Sequence, residues 1–286
     1  MERMEVNGVE LEYVVRGSGE PVVLLHGALL ADENEPLAAE PALTSRYRVI
    51  NYHRRGFGGS TRRKEWAGLD DQAADCAALL KHLGAERAHV VGHSVGGAIG
   101  LQVALDYPEM VQTLTLMEPA MMGAIIKATA AQNPDFAANQ QQFAEGMEKV
   151  SRVYETGDRR GALEAFLETR AGDFVRGVLD FLLKTGEFDR AVADADTFLE
   201  VDMPAAFAWE FTPEEAKKIK QPVLSVLGAH SPERAQKVHQ TLKEWVPQTE
   251  TTVLPNADHA LPLMDPPGIA KVVAEFISRY PMKISA

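Results

Sequence analysis

Short apolar runs separated by segments of helical spacing dominate the first half of the chain. Val22-Val23-Leu24-Leu25 and Tyr47-Arg48-Val49-Ile50-Asn51-Tyr52 read as strands, followed by Ala88-His89-Val90-Val91 and the run over 111–117. Residues 70–83 and 95–106, interleaved with them, carry apolar positions at helical spacing. Near-continuous apolar strands alternating with helices predict an α/β fold, a mostly parallel sheet covered by helices on both faces. The alternation resumes at Pro222-Val223-Leu224-Ser225-Val226-Leu227, with a helix over 232–246, a strand over 249–254 and a helix over 266–280. At the other end, residues 1–15 predict an antiparallel edge hairpin that turns at Asn7-Gly8, a pair suited to two successive positive φ angles.

Between Glu118 and Phe211 the strand signals stop, and helices are predicted over 136–156, 160–171, 174–185 and 189–198. A stretch of roughly 90 residues is far longer than an ordinary connection, whose median is about 4–6 residues. Residues 1–118 and 212–286 are therefore expected to form one sheet domain, with 119–211 inserted as a helical cap. A separate domain with no catalytic role is the alternative, but insertion directly after a strand end favours a lid.

Gly92-His93-Ser94-Val95-Gly96-Gly97 lies between the buried run at 88–91 and the helix that follows. Gly-x-Ser-x-Gly in a strand-to-helix setting is the pattern of a nucleophile elbow. The turn is so tight that the central residue takes a strained backbone and side chains two residues away would collide with it. Glycines at 92, 96 and 97 remove those collisions. Ser94 is left projecting at a helix N-terminus, where free N–H groups favour developing negative charge.

Composition narrows the classes. The 286 residues are 45% hydrophobic, enough for a sizeable core, and the net charge of −12 opposes binding to nucleic acid. No uninterrupted apolar run of about 18 residues is present, so no membrane span is expected. The first residues, Met1-Glu2-Arg3-Met4-Glu5-Val6-Asn7, lack the apolar centre of a signal peptide, which reads as a cytoplasmic protein. The single Cys76, on the amphipathic stretch 72–80, is expected to be a buried structural thiol. Histidines and carboxylates show no metal-ligand spacing such as His-Glu-x-x-His, so neither metal nor cofactor is expected.

With these motifs the chain resembles a serine-nucleophile member of the α/β-hydrolase superfamily that carries a helical cap. Besides the elbow, Leu24-Leu25-His26-Gly27 is similar to the oxyanion-hole segment, and Asn256-Ala257-Asp258-His259 to the loop that bears the catalytic histidine. Arg55-Gly56-Phe57-Gly58-Gly59-Ser60 matches a family turn usually opened by Asp two residues before the Arg; His53 stands there instead. That exchange is expected to alter a structural loop contact.

The resemblance implies Ser94 as nucleophile, since a serine needs a neighbouring base, and His259 as that base. It implies backbone N–H groups of Ala28 and Val95 as the oxyanion hole. The acid departs from the commonest pattern. In Leu227-Gly228-Ala229-His230-Ser231-Pro232-Glu233, Ser231 occupies the usual Asp slot and cannot supply the charge. Some relatives, among them certain haloalkane dehalogenases and zearalenone-opening lactonases, carry the acid one strand earlier, where Glu118 stands. Glu118 is therefore the candidate acid. Glu233, and a purely structural Glu118 at the lid hinge, remain alternatives.

Such a set suits attack on a carboxylic ester or lactone through an acyl-enzyme. An apolar substrate of small to medium size would meet Met121 and Met122, near the start of the cap, and Trp209, near its end. The same residues could equally be helix–sheet core. Arg54, Arg62 and Arg63 are expected to be solvated, although they could meet an anionic substrate. A carbon–carbon bond hydrolase and a small-molecule receptor or signalling protein on the same fold are the competing readings.

Overall fold

The computed structural model describes residues 1–62, 67–121, 123–125, 134–169 and 184–282, without the side chains of 134–143. The helix expected over 174–185 and the residues Met122 and Arg63 lie outside the described residues, save for the last two positions of that helix.

One eight-stranded sheet runs in the order β1-β2-β4-β3-β5-β6-β7-β8. Its strands are β1 (Glu2–Val6), β2 (Val9–Arg16), β3 (Glu20–Leu25), β4 (Tyr47–Tyr52), β5 (Ala88–His93), β6 (Val111–Met117), β7 (Val223–Gly228) and β8 (Thr249–Leu254). β1 and β2 form the antiparallel edge hairpin, with Asn7 and Gly8 at φ 48° and 73° in its turn. β2 is antiparallel to β4, and every pairing from β4 to β8 is parallel.

The strand period of two divides the buried side chains between two faces. Val23 and Leu25 of β3, with Val90 of β5, pack against α1 (Leu69–His82) and α2 (Val95–Asp106). Val22, Leu24 and Val91 face the other way, onto the helix that ends the fold. Cys76 of α1 is buried and unpaired, and burial pushes its thiol up to about 12, so it is an inert packing residue.

Between β6 and β7 the chain leaves the sheet and returns to the adjacent strand. The inserted segment contains α3 (Pro134–Glu155), α4 (Arg159–Thr169), α5 (Glu187–Ala193) and α6 (Met203–Ala208). Val150, Leu163, Phe166, Phe188 and Phe198 form its own apolar cluster, to which Leu30, Ala31 and Phe57 of the sheet domain contribute. Polar ties add to this seam. Arg190 meets Asp32 at 2.8 Å, Thr197 donates to Gly56 O at 2.9 Å, and Asp194 takes Arg62 and the Gly58 N–H. After β7, α7 (Glu233–Trp245) leads to β8, and α8 (Pro266–Ile277) is the last of the described helices, its first turn capped by Asp265 through the Gly268 N–H at 3.0 Å. Among the described residues, no helix is long and apolar enough to cross a membrane.

Candidate active site

The C-terminal ends of β3, β5, β6 and β7 meet on one edge of the sheet. Ser94 stands between β5 and α2 at φ 50° and ψ −117°, a conformation that L residues rarely adopt. Its neighbours make room for it. A Cβ on Gly92 would run into the carbonyl of Gly96, and one on Gly96 into the carbonyls of Leu25 and His26. The second of these close approaches brings the loop after β3 directly against the elbow. The turn is also stitched to the next strand, with Ser94 N–H donating to Met117 O at 3.0 Å and Ala120 N–H to Ser94 O at 2.8 Å.

Glu118 follows β6 with φ 46° and is buried. Its Oε2 lies 2.7 Å from His259 Nδ1, while Oε1 accepts the Gly228 N–H at 2.9 Å and the Ser231 hydroxyl. Burial alone would raise this carboxyl, but the bonds from His259, Ser231 and Gly228 favour the anion and hold it below the usual carboxylate range. An ionised carboxylate only accepts, so Nδ1 of His259 carries a hydrogen. Glu233, the alternative acid, is exposed in the first turn of α7. Asp258 turns back on its own loop, accepting the Ala260 N–H at 2.9 Å.

His93, one residue before Ser94, links the elbow to His259. Its ring lies 5.0 Å from the His259 ring, its Nε2 is 2.7 Å from His259 O, and its Nδ1 is 2.8 Å from Glu33 Oε1. Carbonyl and carboxylate are both acceptors, so the ring holds two hydrogens when Glu33 is ionised. Burial opposes that charge, but Glu33 by charge and hydrogen bond, then Glu118 and the His259 carbonyl, raise the ring above its ordinary value. Glu33 also accepts the Gly27 N–H, which fixes the loop that contains Ala28. Val95 is the first residue of α2, where a helix N–H has no partner within the helix.

Several residues sit elsewhere than the sequence suggested, or do more. Arg54, expected in solvent, is 1% exposed and ion-paired at 2.7 Å to Asp202, in a π-helical turn of the inserted segment. Its side chain is consumed by protein acceptors and offers nothing to a substrate. Met121 and Trp209 are both buried, and Trp209 is stacked on Phe211 with its indole N–H on Gln102 at 2.8 Å. His53 replaces the expected Asp as a loop contact, bridging Glu12 at 2.9 Å and Asp32 at 3.0 Å. Glu33 was not legible as a site residue, since it belongs to no motif, and Ser231, noted only as a residue that cannot be the acid, takes its part through a contact with Glu118 formed only on folding. Among the described residues, no cluster of His, Cys, Asp and Glu is arranged to hold a metal ion.

Comparison with known proteins agrees with this architecture. A family model described as the alpha/beta hydrolase fold matches residues 20–266. The chain is 37% identical over 140 residues to the dihydrolipoyllysine-residue acetyltransferase component of the acetoin cleaving system of Pseudomonas putida, covering 48% of this chain and 38% of that protein. It is 36% identical over 125 residues to a soluble epoxide hydrolase of Corynebacterium sp. (strain C12), covering 43% and 42%. A fluoroacetate dehalogenase of Burkholderia sp. is 35% identical over 125 residues, covering 40% and 39%. The chain thus spans less than half the length of each of these relatives. Among solved structures, a thermophilic esterase from Thermogutta terrifontis superposes with a TM-score of 0.77 at 20% identity, over 99% of this chain and 100% of that one. Est816, an N-acyl homoserine lactone degrading enzyme, gives 0.72 at 23% identity, over 96% and 100%. At such identities the structures speak for the fold alone.

Proposed function

Given that the chain belongs to the α/β-hydrolase fold family, we propose that it is a serine hydrolase of carboxylic esters or lactones, working through Ser94, His259 and Glu118. The observation that carries this reading is the 2.7 Å contact between His259 Nδ1 and Glu118 Oε2, which supports the Nδ1–H tautomer a general base acting through Nε2 requires.

In this mechanism Ser94 Oγ attacks the substrate carbonyl carbon as His259 Nε2 takes its proton. Glu118 stabilises the imidazolium so formed. The carbonyl oxygen becomes an oxyanion that the N–H groups of Val95 and Ala28 receive, each such donor being worth about 10²–10³ in rate. His259 then returns the proton to the departing alcohol, and the acyl-enzyme forms. Water, activated by the same imidazole, attacks the acyl carbon and restores Ser94. For a lactone the alcohol stays tethered to the acyl group, and ring-opened hydroxy acid leaves only after the second step. The inserted segment 119–211 would act as the lid over this site, which suits an apolar substrate of small to medium size.

The test is fluorophosphonate labelling followed by intact mass, then turnover on a panel of aryl esters and lactones. Single-site labelling that Ser94→Ala abolishes supports the reading. A folded protein that neither labels nor turns over any of these esters or lactones overturns it.

A further inference from the structure

The Gly27 carbonyl and the Ala28 N–H belong to one peptide unit. In a planar trans peptide the two groups point in opposite directions, so whatever fixes the carbonyl oxygen also aims the hydrogen. Gly27 O accepts from Arg54 Nη2 at 2.7 Å and from His26 Nδ1 at 2.7 Å, which fills both of its lone pairs. The His26 tautomer is itself set by Arg54. The Arg54 peptide N–H donates to His26 Nε2 at 2.9 Å, so that nitrogen bears the lone pair and Nδ1 the hydrogen. Burial, and next the Arg54 charge, keep His26 well below its ordinary value and therefore neutral.

The guanidinium has no freedom left. Nε donates to His26 O at 3.1 Å, Nη1 to Gln72 Oε1 and to Asp202 Oδ1 at 2.7 Å, and Nη2 to Gly27 O and to Asp202 Oδ2 at 2.9 Å. Five donors thus meet five acceptors, with Phe57 4.7 Å from the cation on its ring face. An ion pair that merely joined the inserted segment to the sheet domain would need Asp202 alone. Here two of the five donors go to successive carbonyls of the loop packed against the elbow.

We propose that Arg54 is a positioning residue for the oxyanion site, aiming the Ala28 N–H at the substrate oxygen and strengthening it as a donor by polarising the Gly27–Ala28 amide. Asp202 supplies its anchor from the inserted segment, so the docked cap takes part in building the hole. The proposal rests on Ser94 and Ala28 acting as described under Proposed function.

The test compares an aryl ester with its thionoester, whose sulfur is the poorer acceptor in an oxyanion hole, in wild type and Arg54→Lys. Lysine keeps the charge but cannot reproduce the planar fork. The expected result is a fall in kcat on the ester of about 10–100-fold, part of the cost of losing one oxyanion donor. KM should stay within about threefold of wild type, and the oxygen-to-sulfur rate ratio should collapse by at least about fivefold, because the misaimed donor no longer favours oxygen. The Ala28 amide resonance should shift as well. Asp202→Asn, which leaves Arg54 in place but loosens its fork, should move the ratio in the same direction and serves if the lysine variant does not fold. An unchanged ratio and an unchanged Ala28 resonance in labelling-competent variants overturn the role of Arg54 alone. A wild-type protein that fails to label at Ser94 overturns the reading of the site and this proposal with it.

Discussion

The Ser231 hydroxyl donates to one oxygen of Glu118 while the other oxygen of the same carboxylate holds His259. The loop after β7, which the family resemblance assigns the acid, here contributes a neutral donor to Glu118, the acid we propose at the end of β6. The two departures are one arrangement. With Glu118 in place, a carboxylate at 231 would stand in contact with it, and two like charges there would oppose each other.

Ser231→Ala should therefore remove a hydrogen bond to a charged group, worth about 1.5–3 kcal/mol, and lower kcat on an aryl ester by about 10–100-fold with KM little changed. Ser231→Asp should cost more than Ser231→Ala. Steady-state kinetics of the two variants check this, and equal activity in wild type and Ser231→Ala would remove the hydroxyl from the acid's support.

Glu118→Gln tests the acid itself. An amide can donate to Nδ1 and stabilise the wrong tautomer of His259, which in a comparable triad costs about 10⁴ in kcat. A similar loss is expected here, with circular dichroism unchanged. A loss below about tenfold would assign the orienting role to another group.

The His93–Glu33 pair gives stability a pH dependence of definite sign. The His93 value is raised on folding, so its contribution is complete below the unfolded histidine value of about 6.5 and is lost as pH rises through the higher folded value. The Tm advantage of wild type over His93→Gln should shrink as pH is raised from about 6 to about 9. His53, which also rises, is common to both proteins and cancels in that difference. A gap that is flat or widens with pH would contradict the doubly protonated ring.

The backbone of Ser94 predicts an unusual ranking of inactive variants. Its φ of 50° costs a non-glycine residue about 1–3 kcal/mol, while glycine pays about 0.5–1 kcal/mol more in unfolded-state entropy. Ser94→Gly should then melt about 2 °C above Ser94→Ala, although neither labels. Calorimetry of the pair decides, and a glycine variant no more stable than the alanine one would show the turn to be unstrained.

Much of this molecule was readable before folding. The strands were legible because their apolar runs are short and continuous, and Ser94, Glu118 and His259 stood out as candidates because motif and strand end mark them. Their supports were not. Arginine belongs in solvent as a rule, and only the pairing of Arg54 with Asp202, 148 residues away, explains its burial. Glu33 lies in a loop without periodicity, and its meaning depends on His93 and the Gly27 N–H across a fold that sequence spacing does not encode. Met121 and Trp209 illustrate the opposite difficulty, since apolar side chains that suit a pocket suit a helix–sheet seam equally well.

The place of Glu118 also decides how modular this protein can be. Insertions between β6 and β7 look like interchangeable attachments, to be trimmed or swapped in order to change which molecules are admitted. In this chain the attachment begins at the proposed acid, and for two further residues it is still fastened to the elbow through the Ala120 N–H. A graft that starts at residue 118 would carry off the proposed charge, and one that starts at 119 would cut the stitch behind the serine. Exchange of the cap becomes compatible with the chemistry only from residue 121 onward, and a donor cap must bring its own partner for Arg54.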